Sequence, residues 1–456
     1  MISRARTSLV ATATATVAAA TALALTTGLT GAGAQAAPGR QRDGKAAASA
    51  AAWTAAWAAS PQRPSAGFRP NWSEAGFTGH TLRQVVRVSE GGARARIRLS
   101  NAYGASPLRI ASATIARTAK GASVERSSVR RLTFGGKSSS VTIPAYGPLS
   151  SDAVGLDLDP FESVTVTLHL AGTTGPATFH AQSFATSYRA DGNHTADVDG
   201  RAFDESTESW YYLAGVDVSG GQPARHDGQR QGQRQRQGQD RKPRGREGIA
   251  LFGDSITDGF ASSTDRNRRW SDALAERLAK AGDRRPVLNA GIGGNLVLND
   301  SAWYGERSAN RFARDALDLP GVGTVVVLEG VNDIGFSETD SPTYKPAPVV
   351  SAAELIDGHR KLMAQARAKG VRVVGATLLP LGGSDHYGKH AAAVSDAFNR
   401  WVRTSGEYDA YVDFDKALAD PEDPERLAPA YDSGDHLHPN DAGYRAMARA
   451  VELDAL

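Results

Sequence analysis

The chain has 456 residues, of which 41% are hydrophobic and 22% charged, enough apolar material for a sizeable core and too much for a wholly disordered protein. Cysteine is absent, which excludes a disulfide framework, thiolate catalysis, Cys-ligated zinc, iron–sulfur clusters and a lipidated N-terminal cysteine. The net charge of +3 is uneven: segment 221–246 holds seven Arg and one Lys against two Asp, leaving the rest mildly acidic, so the positive balance gives no reason to expect a nucleic-acid partner.

At the N-terminus, Arg4 and Arg6 precede a long Ala/Thr/Leu/Val run that ends in Ala34-Gln35-Ala36. This is the layout of a secretory signal peptide over 1–36, cleaved near Ala36. The run is too rich in Ala, Thr and Gly for a stable membrane span, and no later stretch nears the eighteen or so unbroken apolar residues that a span requires. The expectation is a secreted protein without stable membrane insertion. Residues 37–51 are Ala/Gly/charge-rich and read as a disordered segment.

From 52 to 218 apolar residues alternate with polar ones. Runs 82–88 and 93–99 flank Glu90-Gly91-Gly92 and read as a hairpin. Further strand-like runs lie at 141–143, 164–170, 178–184 and 210–218, with no helical pattern between them, so an all-β sandwich or jelly-roll-like domain is expected. Trp53, Trp57, Trp72 and Trp210 fit either a sandwich core or sugar-stacking positions, and the domain could also pack on its neighbour and shape its cleft. Residues 219–247, with their Gln/Arg repeats, have nothing apolar to bury and read as a low-complexity linker, a solvated spacer rather than an anion-binding patch.

From Gly248 the rhythm becomes strand–helix–strand. Strands are expected at 249–252, 287–290, 324–329, 371–379 and 411–414, and helices at 268–281, 309–317, 352–369, 391–405 and 441–453. Short apolar strands with intervening helices imply a parallel sheet covered on both faces. Such sheets bind ligands beyond the C-terminal strand ends, so the residues placed there matter most. After the first strand comes Gly253-Asp254-Ser255-Ile256. Ser255 on a strand-to-helix turn is either a helix cap or a projecting nucleophile, and the Gly-x-Ser-x-Gly elbow is missing. Asp254 reads as structural support. After the second strand, Asn289-Ala290-Gly291-Ile292-Gly293-Gly294 lacks the position and spacing of a dinucleotide loop. After the third, Gly330-Val331-Asn332-Asp333 can aim an amide into the crevice or simply turn the chain. Before the last helix, Asp435 and His438 stand three apart, a spacing that lets a carboxylate orient an imidazole. A metal site of Asp435, His436 and His438 is the competing reading and lacks a further ligand at helical spacing. His436 reads as structural, and His359, His386 and His390 as surface residues.

Together these four blocks, Gly-Asp-Ser-Ile, Asn-x-Gly-x-Gly-Gly, Gly-Val-Asn-Asp and Asp-x-x-His-Pro, resemble the SGNH (GDSL-like) hydrolase superfamily over residues 248–456. The β domain and the Leu-Glu-Gly-Val-Asn-Asp-Ile-Gly wording resemble a secreted actinobacterial branch grouped with xylan-type acetylesterases. The resemblance implies a flavodoxin-like three-layer α/β/α domain with a five-stranded parallel sheet. It also implies Ser255 as nucleophile, His438 as base and Asp435 as its partner. The oxyanion hole would be the Ser255 N–H, the Gly294 N–H and the Asn332 amide, with Gly294 preferred to Gly293 as the last glycine before Asn295. The expected activity is a monomeric serine esterase without cofactor or metal, acting on short-chain acyl or acetyl esters, on polysaccharide among other carriers. The alternatives are a lipase or phospholipase, with 296–308 and 336–350 shaping its site, and a non-catalytic glycan-binding protein.

Overall fold

The computed structural model describes residues 52–67, 69–220 and 247–456. The expected signal peptide, the segment up to Ala51 and nearly all of the expected linker lie outside the described residues. Among the described residues no helix is long and apolar enough to cross a membrane.

The N-terminal part is built from two antiparallel sheets. One runs in the order Thr54–Ala58, Leu213–Ser219, Gly92–Ser100 and Val154–Leu158; the other in the order Glu205–Thr207, Ser187–Asp191, His80–Arg87, Ser163–Leu170, Ser112–Lys120 and Ser123–Val124. Alternation explains the layers. Trp57, Ile97, Leu156 and Val216 of the first sheet share one core with Leu82, Val86, Ile115, Val166 and Leu168 of the second. The expected 82–99 hairpin does not form: His80–Arg87 pairs with Ser163–Leu170 and Ser187–Asp191, whereas Gly92–Ser100 pairs with Leu213–Ser219 and Val154–Leu158. Residues 88–91 carry the chain from one sheet to the other. Both strands turn an apolar face to the same core, so their alternation is identical in a hairpin and in an arch.

The C-terminal part has five parallel strands, Gly248–Gly253, Val287–Gly291, Val322–Leu328, Arg372–Ala376 and Ala410–Val412. Counted in chain order, they lie in the spatial order 2-1-3-4-5. The first strand is buried along its whole length, as expected for a strand with helices over both faces. Helices Trp270–Lys280 and Asp441–Ala450 pack together, as do Ala352–Ala368 and Lys389–Thr404. Helix Ser308–Phe312 continues as a wider π turn, Ala313–Leu317. The order reverses between the first and third strands, and that reversal opens the crevice at their C-terminal ends.

The two parts share buried surface. Ala55 and Ala58 pack with Leu288 and Leu319. The Ala55 N–H donates to the Pro320 carbonyl at 2.8 Å, the Val287 N–H donates to Ser89 Oγ at 3.1 Å, and Arg87 pairs with Glu276 at 2.9 Å. Calorimetry is therefore expected to give one cooperative transition for residues 52–456, and Leu288→Ala should destabilise both parts together by about 2–5 kcal/mol. Two independent transitions, with only one displaced by the substitution, would contradict this coupling.

Candidate active site

Ser255 opens a one-turn helix, Ser255–Asp258, directly after the first parallel strand. Asp254 caps it, with Oδ1 accepting from the Ile256 N–H at 2.9 Å. As the first N–H of that turn, the Ser255 N–H has no intrahelical acceptor. The Ser255 Oγ lies 2.8 Å from His438 Nε2, and His438 Nδ1 lies 2.7 Å from Asp435 Oδ2. The other oxygen of Asp435 accepts from the His438 N–H at 2.8 Å and the Leu437 N–H at 3.0 Å. Burial pushes the Asp435 carboxyl up, but the His438 hydrogen bond and charge and these two N–H groups outweigh it and hold the carboxyl well below its usual range. An ionised Asp435 fixes Nδ1 as the protonated nitrogen and leaves Nε2 to accept from the serine. His436 takes no part in this row; its Nδ1 meets Asp432 Oδ2 at 2.5 Å, closing the turn that presents His438.

Two further groups named from sequence stand beside Ser255. Gly294 and Asn332 line the same cleft of about 370 Å³, with Ser255, His438 and Asp435. The Gly293 N–H is occupied by Asp258 Oδ2 at 3.1 Å, whereas the Gly294 N–H has no acceptor among the described residues. Gly294 has a φ of +73°, and a Cβ there would fall 2.4 Å from the Tyr304 ring, so both backbone and space demand glycine. Asn332 sits in the first turn of helix Val331–Gly335 and donates through Nδ2 to the Asn295 carbonyl at 2.9 Å, leaving its second hydrogen for the cleft. A hydroxyl facing an imidazole, with Gly294 and Asn332 lining the same cleft, is suited to attack on a carbonyl and to holding the oxyanion that results. Asp435, His436 and His438 do not converge as a ligand set, and no other such group of His, Asp and Glu occurs among the described residues.

Three histidines stand elsewhere than expected, and one of them belongs to the site. His386, expected on the surface, is buried, lines the cleft and bonds Asn332. His359, also expected on the surface, is buried against Tyr408 and the Glu329 carbonyl, and burial pushes its pKa down to about 4. His390 is half-buried, bonded to the Val350 carbonyl at 3.0 Å. Each is covered by an element distant in sequence, and no local pattern carries that information. Tyr304, Phe336 and Tyr344, from the segments 296–308 and 336–350 expected to shape a lipase-type site, do line the cleft as an aromatic wall, the last two stacked at 4.3 Å.

The β-rich part also reaches the cleft, through Gln182. Its His180 bridges the Ser60 carbonyl and Asp258 Oδ1, each at 2.9 Å. Burial opposes a charge on this ring, yet the Asp258 charge and the two hydrogen bonds raise its pKa above the usual 6.5. Because Asp258 also holds the Gly293 N–H, the β-rich part is one contact removed from the Gly294 loop. Of the four tryptophans, Trp57 and Trp210 meet edge to face at 4.8 Å in the core, and Trp72 stacks on Tyr211. Arg96 covers the Trp53 ring at 4.4 Å.

Beneath the site, burial raises Asp254 and Asp333 to about 7 and lifts Glu329 well above its ordinary value; the Asp254 charge adds to the rise at Glu329, and the Asp333 charge adds to it at both Asp254 and Glu329. A carboxyl raised on folding binds more protons in the native than in the unfolded state, so its contribution to stability falls as pH climbs from about 4 to about 7. Asp254→Asn keeps an oxygen for the Ile256 N–H and removes one such carboxyl. Its melting temperature should therefore decline less than wild type over that interval, as thermal melts at stepped pH will measure.

Residues 251–446 match the GDSL-like Lipase/Acylhydrolase family. Among solved structures, a GDSL-like lipase from Bacteroides thetaiotaomicron is 17% identical, covering 46% of this chain and 88% of its own, with a TM-score of 0.35. A catalytic mutant of an acetylxylan esterase from Geobacillus stearothermophilus is 22% identical, covering 45% of this chain and 91% of its own, also at 0.35. No curated protein matches the chain. Residues 251–446 thus carry a domain of the GDSL-like lipase/acylhydrolase family, and the chain is a carboxylic ester hydrolase.

Proposed function

We propose that the chain is a secreted serine esterase that works through an acyl-enzyme on short-chain acyl or acetyl esters, those borne by polysaccharide included. The observation that carries the reading is the unbroken row from Ser255 Oγ through His438 to Asp435, set beside three unshared N–H donors. In this mechanism Ser255 Oγ bonds to the ester carbonyl carbon as its proton passes to His438 Nε2. The negative charge that gathers on the carbonyl oxygen is held by the Ser255 and Gly294 N–H groups and the Asn332 amide, each such donor worth ~10²–10³ in rate. The tetrahedral adduct then collapses: the bond to the alcohol oxygen breaks, and His438 returns the proton to the departing alcohol. Water, deprotonated in turn by His438, attacks the acyl carbon; the acyl–Oγ bond then breaks as His438 returns the proton to Ser255 Oγ, freeing the acid. Every group in this sequence belongs to the chain itself.

Short acyl groups are favoured by the aromatic wall of Tyr304, Phe336 and Tyr344, which bounds the cleft next to Gly294. Among the described residues the large exposed hydrophobics are Tyr146, Val349, Tyr387 and Tyr411, scattered along the chain rather than gathered as the apolar rim that a lipid surface would engage. Secretion rests on the leader pattern over 1–36.

Two assays test the reading. Ser255→Ala should lose at least about a thousandfold in kcat while melting at the wild-type temperature, and hydrolysis that survives largely intact would remove Ser255 from its role. On p-nitrophenyl esters from acetate to palmitate, kcat/KM should peak at the shortest acyl groups, with acetate released from acetylated xylan. A maximum at eight carbons or more, with xylan untouched, would favour a lipase acting through the same residues.

A further inference from the structure

The proposed oxyanion donor Asn332 can be read from both of its ends. Its Nδ2 faces the Asn295 carbonyl oxygen at 2.9 Å, a group that only accepts. The Oδ1 must therefore be the atom turned toward His386 Nε2, 3.1 Å away, and since Oδ1 also only accepts, Nε2 carries a hydrogen. The opposite ring nitrogen, Nδ1, lies 2.7 Å from Asp385 Oδ1. The hydrogen bond from His386 and its charge hold the Asp385 carboxyl below the usual range, so it too is an acceptor. The His386 ring thus stands between a carboxylate and the amide, with the Nε2 hydrogen given to Asn332 Oδ1.

Packing keeps the ring in that place. Its side chain is 3% exposed, with the Phe336 and Tyr344 rings edge-on at 5.5 and 5.4 Å. It rests against Gly335, the last residue of the helix that carries Asn332; a Cβ there would fall 2.2 Å from the ring. Tyr344 donates to the second Asp385 oxygen at 2.8 Å. The ionisable groups facing His386 are Asp385 and Tyr344, with the Asp435 charge acting on Asp385 from across the cleft.

We propose that Asp385 and His386 are positioning residues of the esterase: the row Asp385–His386–Asn332 locks the amide with Nδ2, not Oδ1, toward the reacting carbonyl and polarises that donor. The inference rests on the reading of Ser255 and Asn332 given above. An Asn amide turns about a broad, roughly two-fold torsion. Without His386 the Asn295 carbonyl alone would hold the amide, and any flipped fraction would set its oxygen against the oxyanion, replacing a stabilising contact with a repulsive one.

The test compares wild type, H386A, H386Q, D385N and S255A on p-nitrophenyl acetate, with melting temperatures as the control for folding. H386A should lose about 10- to 100-fold in kcat, less than full removal of a donor, with KM within about twofold. H386Q, which can still donate to Asn332 Oδ1, should recover part of that loss. D385N should fall between wild type and H386A. A second readout needs no variant: NMR of ¹⁵N-histidine-labelled wild type, with His386 assigned through its Phe336 and Tyr344 neighbours, should find hydrogen on Nε2. The proposal is overturned if H386A keeps kcat within about threefold, if KM rather than kcat takes the loss, or if Nε2 carries no hydrogen. S255A separates this from the broader reading: an inactive S255A beside a fully active H386A defeats the positioning role alone, whereas an active S255A defeats both.

Discussion

Arg311 is the contact on which the geometry of the site depends. Its side chain is wholly buried, and a guanidinium is tolerated there only if its donors are met. They are met by the site itself: Nε by Asn295 Oδ1 at 2.7 Å, Nη1 by the Ala290 carbonyl at 2.8 Å and Nη2 by the Gly253 carbonyl at 2.9 Å. The plane of the group also covers the Phe252 ring at 3.9 Å. One side chain thereby joins the end of the first strand, one residue short of Asp254, to the end of the second strand and to the loop after Gly294. Asn295, held by Arg311, in turn accepts from Asn332 through its carbonyl. Three of the groups proposed to act on the ester are thus referenced to one planar, permanently charged fork, a task for which a flexible ammonium would serve poorly.

The β-rich part completes this framework from the opposite side. Asp258, at the end of the Ser255 turn, divides its carboxylate between His180 and the Gly293 N–H. Arg269 ties the same turn back across the boundary, donating to the Asp258 and Ser183 carbonyls. Phe260 lies between Phe184 and His438, its ring 4.3 Å from the imidazole. A module attached only to retain a polymer would not need to reach the turn that carries Ser255. In a chain without cysteine, shared burial and buried hydrogen bonds do the work that cross-links would otherwise perform.

What could be read in advance divides along the range of the interactions. The five parallel strands and most of the helices between them follow from local periodicity, and the groups at their ends are local too: Asp254 caps the turn of Ser255, and Asp435 reaches His438 within one turn of chain. The arch at 88–91 was illegible because an alternating strand does not say which of two facing sheets it joins. His386 and His359 looked like surface residues because their partners, Asn332 and Tyr408, lie 54 and 49 positions away. Gln182 could not be placed at all, since it enters the cleft only through the docking of one part of the chain on the other. Arg311, between Arg307 and Arg314 in the chain, carries no sign in sequence that it is buried.

The carboxylates around the crevice illustrate how environment divides one functional group into distinct roles. Asp435, half-exposed and given hydrogen bonds by His438, stays ionised and supports the imidazole. Asp254, Glu329 and Asp333 are buried beneath the strand ends with only Arg311 and a few N–H groups to offset them. Fully ionised, they would set negative charge directly below the position where the proposed mechanism builds an oxyanion, and at low local dielectric that repulsion would raise the barrier. The shift of Asp254 and Asp333 to about 7 leaves a share of these two protonated at neutral pH, which weakens the opposing field. His386, donating from Nε2 to Asn332 Oδ1, works in the same direction. The local field thus favours the oxyanion through what is neutralised below it as well as through the donors that would touch it.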